Sequence, residues 1–269
     1  DNSLFQYSAL RTISSNGLKF TPHITVTNSD FRFIVAEQLQ ALGIDPGIIL
    51  IEPEVKNTAP AILAASIYAM NIDPEAALLV APSDHVIPDT EDFHRAVQKG
   101  LQQTVNGKLV TFGITPTYPE TGYGYLELAN EDGTVPEVEV VSKFVEKPDL
   151  QNAKRMLQLG NYLWNAGIFL FKAQDMVATF EKLDPATLNL VNTAVSEAKF
   201  DLGFLRLNAE AWSELASESI DYAVMEKTDN LVAVAYKSKW SDLGGWDAIW
   251  SETGKDEYGN AVSDAAHAI

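Results

Sequence analysis

The regular alternation of short β-rich runs with helical segments constrains the fold of this chain more than any other feature of its sequence. Strands are predicted at "PHITVTN" (22–28), "GIILIEP" (47–53), the apolar run 76–81 and "KLVTFGI" (108–114). Helices are predicted between them, at 29–43, 57–70 and 90–105. This alternation predicts an α/β fold with a mixed, mostly parallel sheet and helices on both faces.

The predicted helices carry start signals and apolar faces. Ser29 is a predicted N-cap, and either Asn57 or Thr58 caps the next helix. Pro60 fits the first turn of that helix. Apolar residues recur at helical spacing in the first and third helices, at Phe33, Ala36, Leu39 and Leu42 and at Phe93, Val97, Leu101 and Val105.

The second half of the chain is less regular. Strands are predicted at 140–149, 162–171 and 231–242, and helices near 149–159, 173–183 and 219–228. No internal repeat, low-complexity tract or long linker divides the chain. We therefore expect one domain built on one continuous sheet.

Composition excludes several kinds of partner. The 269 residues include 37 Asp and Glu but only 19 Lys and Arg, a formal charge of −18, whereas nucleic-acid binding needs clustered cations. No apolar run approaches the roughly 18 residues of a membrane span. The absence of cysteine fits a reducing cytoplasm. We therefore expect no nucleic-acid or membrane partner, and an anionic substrate would need local cations or a metal ion.

Five stretches occur together in a specific order: "EPEVKNTAPAILAA", "LLVAPSDHVI", "PETGYGYLE", "FVEKPD" with "WNAGIFLF", and "SIDYAVMEKT" with "WSDLGGWDAIW". This set resembles the sugar-nucleotide pyrophosphorylases, and among them the mannose-1-phosphate guanylyltransferase family, over nearly the whole chain. The resemblance implies a Rossmann-like fold of the nucleotide-diphospho-sugar transferase type. It also implies synthesis of GDP-mannose and pyrophosphate from GTP and mannose 1-phosphate with Mg²⁺.

The chain departs from the family in two places. The family has a glycine-rich loop of the form GG-x-G-T-R after its first strand, and residues 1–269 contain no such loop. We therefore expect a nucleotidyltransferase domain that lacks its N-terminal strand and phosphate loop. The isomerase (cupin) domain often fused to the family is also missing, and four scattered histidines predict no isomerase activity.

The resemblance assigns catalysis to Asp84, Lys147 and Asp242, with the two aspartates as ligands of Mg²⁺. Asp84 directly follows a predicted strand, and ligands of such sheets collect outside the carboxyl ends of strands. Mg²⁺ suits two phosphate-bearing substrates because it binds one or two carboxylates together with phosphate oxygens. For each aspartate the alternative is an ordinary cap or turn residue.

The resemblance also divides the binding residues into two sets. The nucleotide set is Asn57, Thr58, Ala59, Ser83 and Asp84, where a helix N-terminus offers free N–H groups to a base edge. The sugar-phosphate set is Tyr123, Gly124, Glu146, Lys147, Asn165 and Gly167. Glu146 would accept hydroxyls, Lys147 would bind phosphate, and the Asn165 amide would both donate and accept. The alternatives are a capped helix, a tight glycine turn and a solvated Glu–Lys pair.

Two neighbouring residues are given non-catalytic roles. His85 is interpreted as structural, because a phosphate oxygen is ionised at neutral pH and needs no general base. Asp221 lies in the first turn of a helix capped by Ser219 and is interpreted as N-terminal helix charge.

Two alternatives to the guanylyltransferase hypothesis stay open at this point. One is a non-catalytic sugar-nucleotide-binding module. The other is a pyrophosphorylase for another nucleotide or hexose 1-phosphate. The sequence does not define the oligomeric state and leaves a homo-oligomer open.

Overall fold

The computed structural model describes residues 2–15, 17–130 and 134–243. Its strands are β1 (Ile24–Asn28), β2 (Ile48–Glu52), β3 (Ala77–Val80), β4 (Leu109–Ile114), β5 (Tyr125–Leu128), β6 (Val138–Val145), β7 (Tyr162–Lys172), β8 (Lys199–Asp201), β9 (Phe204–Arg206) and β10 (Leu231–Tyr236). Its α-helices are α1 (Leu4–Arg11), α2 (Arg32–Ala41), α3 (Thr58–Ile72), α4 (Thr90–Thr104), α5 (Leu150–Leu159), α6 (Ala173–Leu183), α7 (Pro185–Ser196) and α8 (Ala209–Ser213), and a π-helical turn spans Asp221–Met225. None of the helices in these ranges is long and apolar enough to cross a membrane.

The strands form two sheets. The smaller has the order β1-β2-β9-β8, and the larger has the order β3-β7-β4-β10-β6-β5 with an additional β7–β5 pairing. Strands β1 and β3 each lie at an edge and have no second partner strand within the described ranges. The prediction of one continuous sheet is therefore wrong for this part of the chain.

The predicted α/β class is confirmed, but most strand pairs are antiparallel. The parallel pairs are β1–β2, β2–β9 and β4–β10. Strand β7 runs antiparallel to β3, β4 and β5, and β6 runs antiparallel to β5 and β10. The expectation of a mostly parallel sheet fails because β7, from the second half of the chain, lies between β3 and β4.

Helices cover both faces of the larger sheet, as predicted. Side chains of β4 alternate between two buried clusters, so that Leu109 packs with residues of α3, α6 and α7 while Val110 and Phe112 pack with residues of α4. Strand β4 is buried at every position. Burial on both faces is the physical reason for its continuously apolar sequence.

One of the predicted helix caps is confirmed by the structure and another is wrong. Asn57 caps α3 by accepting a hydrogen bond from the Thr58 N–H, as predicted. Ser29 is not the cap of α2, which begins after Phe31 without a side-chain cap. Val105 follows the last residue of α4 and is 72% exposed, so its predicted place on the apolar face is also wrong.

Candidate functional site

A cleft of about 450 Å³ lies where the first turn of α3, the end of β6 and the π-helical turn meet. Its lining residues are Asn57, Thr58, Glu146, Lys147, Ser217, Glu218, Ser219, Asp221 and Tyr222. Two of them belong to the predicted nucleotide set and two to the predicted sugar-phosphate set. The structure therefore brings part of both sets to one cleft.

The N-terminus of α3 forms one wall of the cleft, and the protein itself uses its first N–H groups. Asn57 has a φ of 68°, and its side-chain oxygen accepts from the Thr58 N–H at 2.8 Å. The Ala59 N–H donates to the Glu218 carbonyl at 3.1 Å. The Thr58 hydroxyl accepts from the Ile220 N–H at 2.9 Å. The expectation of N–H groups free for a base edge is therefore wrong at Thr58 and at the buried Ala59.

Glu146 and Lys147 place opposite charges in the cleft. Lys147 Nζ lies 3.1 Å from Glu146 Oε1, and the lysine side chain is 61% exposed whereas the glutamate side chain is 8% exposed. The hydrogen bond that Lys147 donates to Glu146 raises the pKa of Lys147, so the ammonium stays charged. Lys147 has a φ of 43°, a backbone conformation that costs about 1 to 3 kcal/mol and occurs mainly where the surrounding structure imposes it. The pair is thus solvated on the lysine side and buried on the glutamate side.

Gly124 allows strand β5 to approach the buried carboxylate of Glu146. A Cβ atom at Gly124 would lie 2.7 Å from Glu146 Oε2 and 3.0 Å from the ring of Phe144. The Gly124 carbonyl accepts from the Asn165 N–H at 2.8 Å, which joins β5 to β7 at this point. Any side chain here would displace the carboxylate.

Asp221 is a further acid in the cleft. Its Oδ1 atom accepts from Asn165 Nδ2 at 3.1 Å. Burial, and secondly the nearby Glu146, raise the pKa of Asp221 to about 6. A carboxyl group whose pKa is raised by burial and by a neighbouring carboxylate is typical of functional sites. The interpretation of Asp221 as helix charge did not anticipate this environment, because nothing in the local sequence indicates that the carboxyl group is buried.

Asn165 lies on β7 behind Asp221, with every polar atom of its amide engaged. Its Oδ1 accepts from the Thr111 hydroxyl at 2.8 Å and from the Gly167 N–H at 3.2 Å. Because an amide oxygen has two lone pairs, these two donors saturate it. Its Nδ2 donates one N–H to Asp221 and keeps a second. An acceptor role of Asn165 toward sugar hydroxyls would compete with these two donors, whereas the second N–H is the part that a donor role would use.

An antiparallel bridge assembles the second group of predicted residues. Val86 and Ser241 exchange backbone hydrogen bonds of 2.9 and 3.1 Å. In an antiparallel pair, the residue before one partner faces the residue after the other, so Asp242 lies beside His85 and near Asp84. Both carboxylates act electrostatically on the His85 imidazole. The structure thus brings together two aspartates that are distant in the sequence.

Tyr123 connects this aspartate pair to the cleft. Its hydroxyl donates to Asp242 Oδ1 at 2.9 Å, and its ring packs edge-to-face on Trp164 and Trp240. Burial and the bond to Asp242 raise the pKa of Tyr123, so the hydroxyl remains a donor. The next residue, Gly124, contacts Glu146. Two consecutive residues therefore join the aspartate pair to the cleft as one site.

His85 has structural contacts on all sides. Its Nδ1 atom accepts from Trp240 Nε1 at 3.3 Å, and the two rings pack edge-to-face. Burial lowers the pKa of His85 and outweighs the opposite effect of the two aspartates. Gly167, whose φ of 66° favours glycine, lies against the same imidazole. These contacts agree with a structural role for His85.

Helix α1, which the sequence analysis did not predict, anchors the segment that carries Asp84. The Ser8 hydroxyl donates to the Pro82 carbonyl at 3.1 Å, and the buried Arg11 guanidinium donates to the His85 carbonyl at 3.1 Å. The capping box at the start of α1 is a local signal that could have identified this helix.

The aspartate pair has the donors that Mg²⁺ prefers. Ser83 and Asp84 are exposed after β3, and Asp242 is partly exposed. Within the described ranges, no group of three or more His, Cys, Asp or Glu residues could hold a metal ion. Two carboxylates are what Mg²⁺ commonly takes from a protein when phosphates complete its coordination shell. The remainder of "WSDLGGWDAIW", from residue 244, lies outside the described residues.

The chain is similar to known proteins over most of its length. The family model described as Nucleotidyl transferase matches residues 1–258. The mannose-1-phosphate guanylyltransferase of Sinorhizobium fredii is 43% identical over 263 residues, which are 97% of this chain and 51% of that protein. The xanthan biosynthesis protein XanB of Xanthomonas campestris pv. campestris is 44% identical over 238 residues, which are 88% of this chain and 50% of that protein. The chain thus spans about half the length of these curated relatives.

The fold has a counterpart among solved structures. The crystal structure of mannose-6-phosphate isomerase from Helicobacter pylori matches with a TM-score of 0.78 and 30% identity. The match covers 89% of this chain and 90% of that chain.

Proposed function

The chain belongs to the nucleotidyl transferase family, and from that premise we propose that it is the guanylyltransferase part of a mannose-1-phosphate guanylyltransferase. The proposed reaction joins GTP and mannose 1-phosphate into GDP-mannose and releases pyrophosphate. The name of the Sinorhizobium relative supports this substrate pair. The observation that carries the proposal is the cleft, where the exposed Lys147 ammonium lies among carboxyl groups, with the pair Asp84 and Asp242 connected to it through Tyr123.

Lys147 is the proposed contact for the sugar phosphate. In nucleotidyl transfer an oxygen of that phosphate attacks the α-phosphorus of the triphosphate, and pyrophosphate leaves. The attacking oxygen is already ionised, so the protein mainly aligns and neutralises the reactants. A chain with a formal charge of −18 needs a local cation for this purpose, and the Lys147 ammonium is exposed in the cleft.

Glu146 and Asn57 are the proposed contacts for the sugar and the guanine. The Glu146 carboxylate is held by Lys147 and Gly124, and a fixed acceptor discriminates hydroxyl positions at little entropic cost. Asn57 uses its side-chain oxygen as a cap, so its NH₂ group is the part that would donate to a base. Thr58 and Ala59 would shape the wall, and Ser83 would lie beside the nucleotide phosphates.

Asp84 and Asp242 are the residues that would hold Mg²⁺. Their carboxylates act on one imidazole from two distant parts of the chain, and the donor set fits an ion shared with substrate phosphates. When bound, Mg²⁺ would offset phosphate charge during the transfer. Tyr123 would orient the Asp242 carboxylate through its hydroxyl.

The product is proposed to serve polysaccharide synthesis in the cytoplasm. The Xanthomonas relative is named a xanthan biosynthesis protein. The absence of cysteine suits a reducing compartment.

Turnover with matched substrate pairs tests the proposal. The protein is given Mg²⁺, one of GTP, ATP or UTP, and either mannose 1-phosphate or glucose 1-phosphate, and pyrophosphate release is followed. We expect GTP with mannose 1-phosphate to react at least about tenfold faster than any other pair. Equal rates for several pairs would contradict the substrate assignment. Binding of GDP-mannose without any pyrophosphate release would favour the binding-module hypothesis.

Isomerisation of mannose 6-phosphate is the activity named for the Helicobacter pylori neighbour, and it stands as a second candidate against the expectation from the scattered histidines that this chain has no isomerase activity. The same protein preparation with mannose 6-phosphate as sole substrate tests it. Isomerisation without pyrophosphate release in the first assay would favour this candidate.

A further inference from the structure

We propose that Asp221 presents a second acceptor to the hydroxyl groups of the sugar, beside Glu146, and that Asn165 acts through Asp221 by fixing the direction of its carboxylate. This inference rests on the proposed function, because it takes the cleft as the site of the sugar phosphate. It reverses the roles that the sequence suggested for these two residues.

The first argument is position. Asp221 lines the cleft together with Glu146 and Lys147, whereas Asn165 is not among the lining residues. Asn165 lies behind Asp221, and the 3.1 Å bond between Asn165 Nδ2 and Asp221 Oδ1 joins them. A ligand in the cleft would therefore meet Asp221 first.

The second argument is hydrogen-bonding capacity. The Asn165 oxygen is saturated by Thr111 and Gly167, so it has no lone pair for a sugar hydroxyl. The same two donors fix which side of the amide carries nitrogen, and that nitrogen points to Asp221. An ionised carboxylate can accept about four hydrogen bonds, so Asp221 keeps acceptor sites after bonding to Asn165.

The third argument is charge. Asp221 faces Glu146 and Lys147 on the strand β6 side and Asn165 on β7, and it lies next to Tyr222 in its own turn. Glu218 lines the same cleft, and its carboxylate is paired with Lys227 at 3.6 Å. Burial and Glu146 raise its pKa to about 6, whereas Lys147 and Asn165 favour the ionised form. The acceptor is therefore largely ionised above pH 6 and largely protonated below it, which makes sugar affinity depend on pH.

Calorimetric titration with GDP-mannose tests the proposal. This probe suits the purpose because both its phosphates are esterified and keep their charges between about pH 5 and pH 7.5, so titration of the protein alone is observed. For the unaltered protein we expect affinity to fall about tenfold from pH 7.5 to pH 5, with the change centred near pH 6. Asp221→Asn should bind about tenfold or more weakly at pH 7.5 and show no such change with pH.

Asn165→Ala separates positioning from direct contact. It removes a donor that favours ionised Asp221, so the midpoint of the pH dependence should move upward, a shift that a purely structural role would not produce. Asp229→Asn is the matched control, because Asp229 is an exposed acid outside the cleft lining. Thermal unfolding of each variant verifies the fold.

The outcomes distinguish failure of the proposed function from failure of the role proposed for Asp221. If the unaltered protein does not bind GDP-mannose, the proposed function fails. If it binds, but Asp221→Asn retains both the affinity and the pH dependence, the role of Asp221 is wrong while the proposed function stands. An unchanged midpoint in Asn165→Ala would overturn the positioning role of Asn165.

Discussion

Replacing aspartate by asparagine at positions 84 and 242 distinguishes Mg²⁺ ligands from ordinary cap or turn residues. Asparagine caps and turns as well as aspartate does, but it lacks the charge that holds Mg²⁺. Asn at 242 could still accept from Tyr123, so the fold should persist. We expect Asp84→Asn and Asp242→Asn each to lower the rate of GDP-mannose formation about a hundredfold or more, by analogy with the loss of other charge-stabilising groups. Near-normal rates in both variants would mean that Asp84 and Asp242 are ordinary cap or turn residues and not Mg²⁺ ligands.

Ionisation of the Asp221 carboxyl group should lower the free energy of unfolding at neutral pH. Its pKa of about 6 lies above the ordinary 3.8, so the folded carboxyl binds its proton more tightly than the unfolded one. The resulting cost is absent below about pH 4, grows between pH 4 and pH 6 and is complete above that range. Asp221→Asn removes the ionisation and keeps an acceptor for Asn165. We expect it to raise the free energy of unfolding at pH 7 by roughly 1 to 3 kcal/mol.

Urea unfolding at two pH values measures this effect. The gain from Asp221→Asn should be present at pH 7 and nearly absent at pH 4, relative to the unaltered protein. A variant that is less stable than the unaltered protein at pH 7 would show that the carboxylate stabilises its surroundings. Combined with a loss of ligand affinity, a gain in stability would be the trade-off that functional sites commonly show.

At the scale of elements, helix α1 is expected to matter for catalysis although it does not line the cleft. Arg11→Leu leaves the His85 carbonyl without its donor, which should cost roughly 1 to 3 kcal/mol of stability. It should also raise the Mg²⁺ concentration needed for half-maximal turnover, because the segment with Asp84 loses an anchor. Arg155→Leu, at an exposed position of α5, is the control. An unchanged Mg²⁺ requirement in Arg11→Leu would limit α1 to a structural role.

The start of β5 provides a steric test of the sugar site. Gly124→Ala places a methyl group 2.7 Å from Glu146 Oε2, so the carboxylate must move. We expect KM for mannose 1-phosphate to rise about tenfold while KM for GTP changes little. The control is Gly122→Ala, whose methyl group would meet only the side chain of Glu120 at 3.2 Å. Equal changes in both KM values would mean that Glu146 does not select the sugar.

Local sequence signals predicted individual elements better than their arrangement. Strand β4 and helix α3 were predictable because continuous burial and a cap leave direct marks on the sequence. The insertion of β7 between β3 and β4 has no such mark, since its apolar sequence is equally compatible with either neighbour and either direction. Strand pairing depends on contacts between residues far apart in the chain, which periodicity does not record.

In the candidate site, too, local sequence signals predicted individual residues better than the contacts between distant ones. Glu146 and Lys147 were identified through the resemblance, and the structure supplied the burial of one and the exposure of the other. Asp221 had a sufficient local explanation as a charge in the first turn of a helix. Its proposed role rests on the hydrogen bond with Asn165, which lies 56 positions earlier in the chain.

At the scale of the whole molecule, the candidate site lies between elements that belong to the two sheets. The cleft takes its walls from α3, which follows β2 of the smaller sheet, and from β6 of the larger one. A protein with a formal charge of −18 repels anionic substrates, and in the proposed function Lys147 and a divalent cation offset that charge at the site.

A crystal structure with GDP-mannose and Mg²⁺ bound tests the central claim most directly, because it locates both ends of the ligand at once. We expect mannose to lie between Glu146, Asp221 and Lys147, and the diphosphate to be directed toward an ion on Asp84 and Asp242. Mannose outside this cleft, or an ion that neither aspartate contacts, would contradict it.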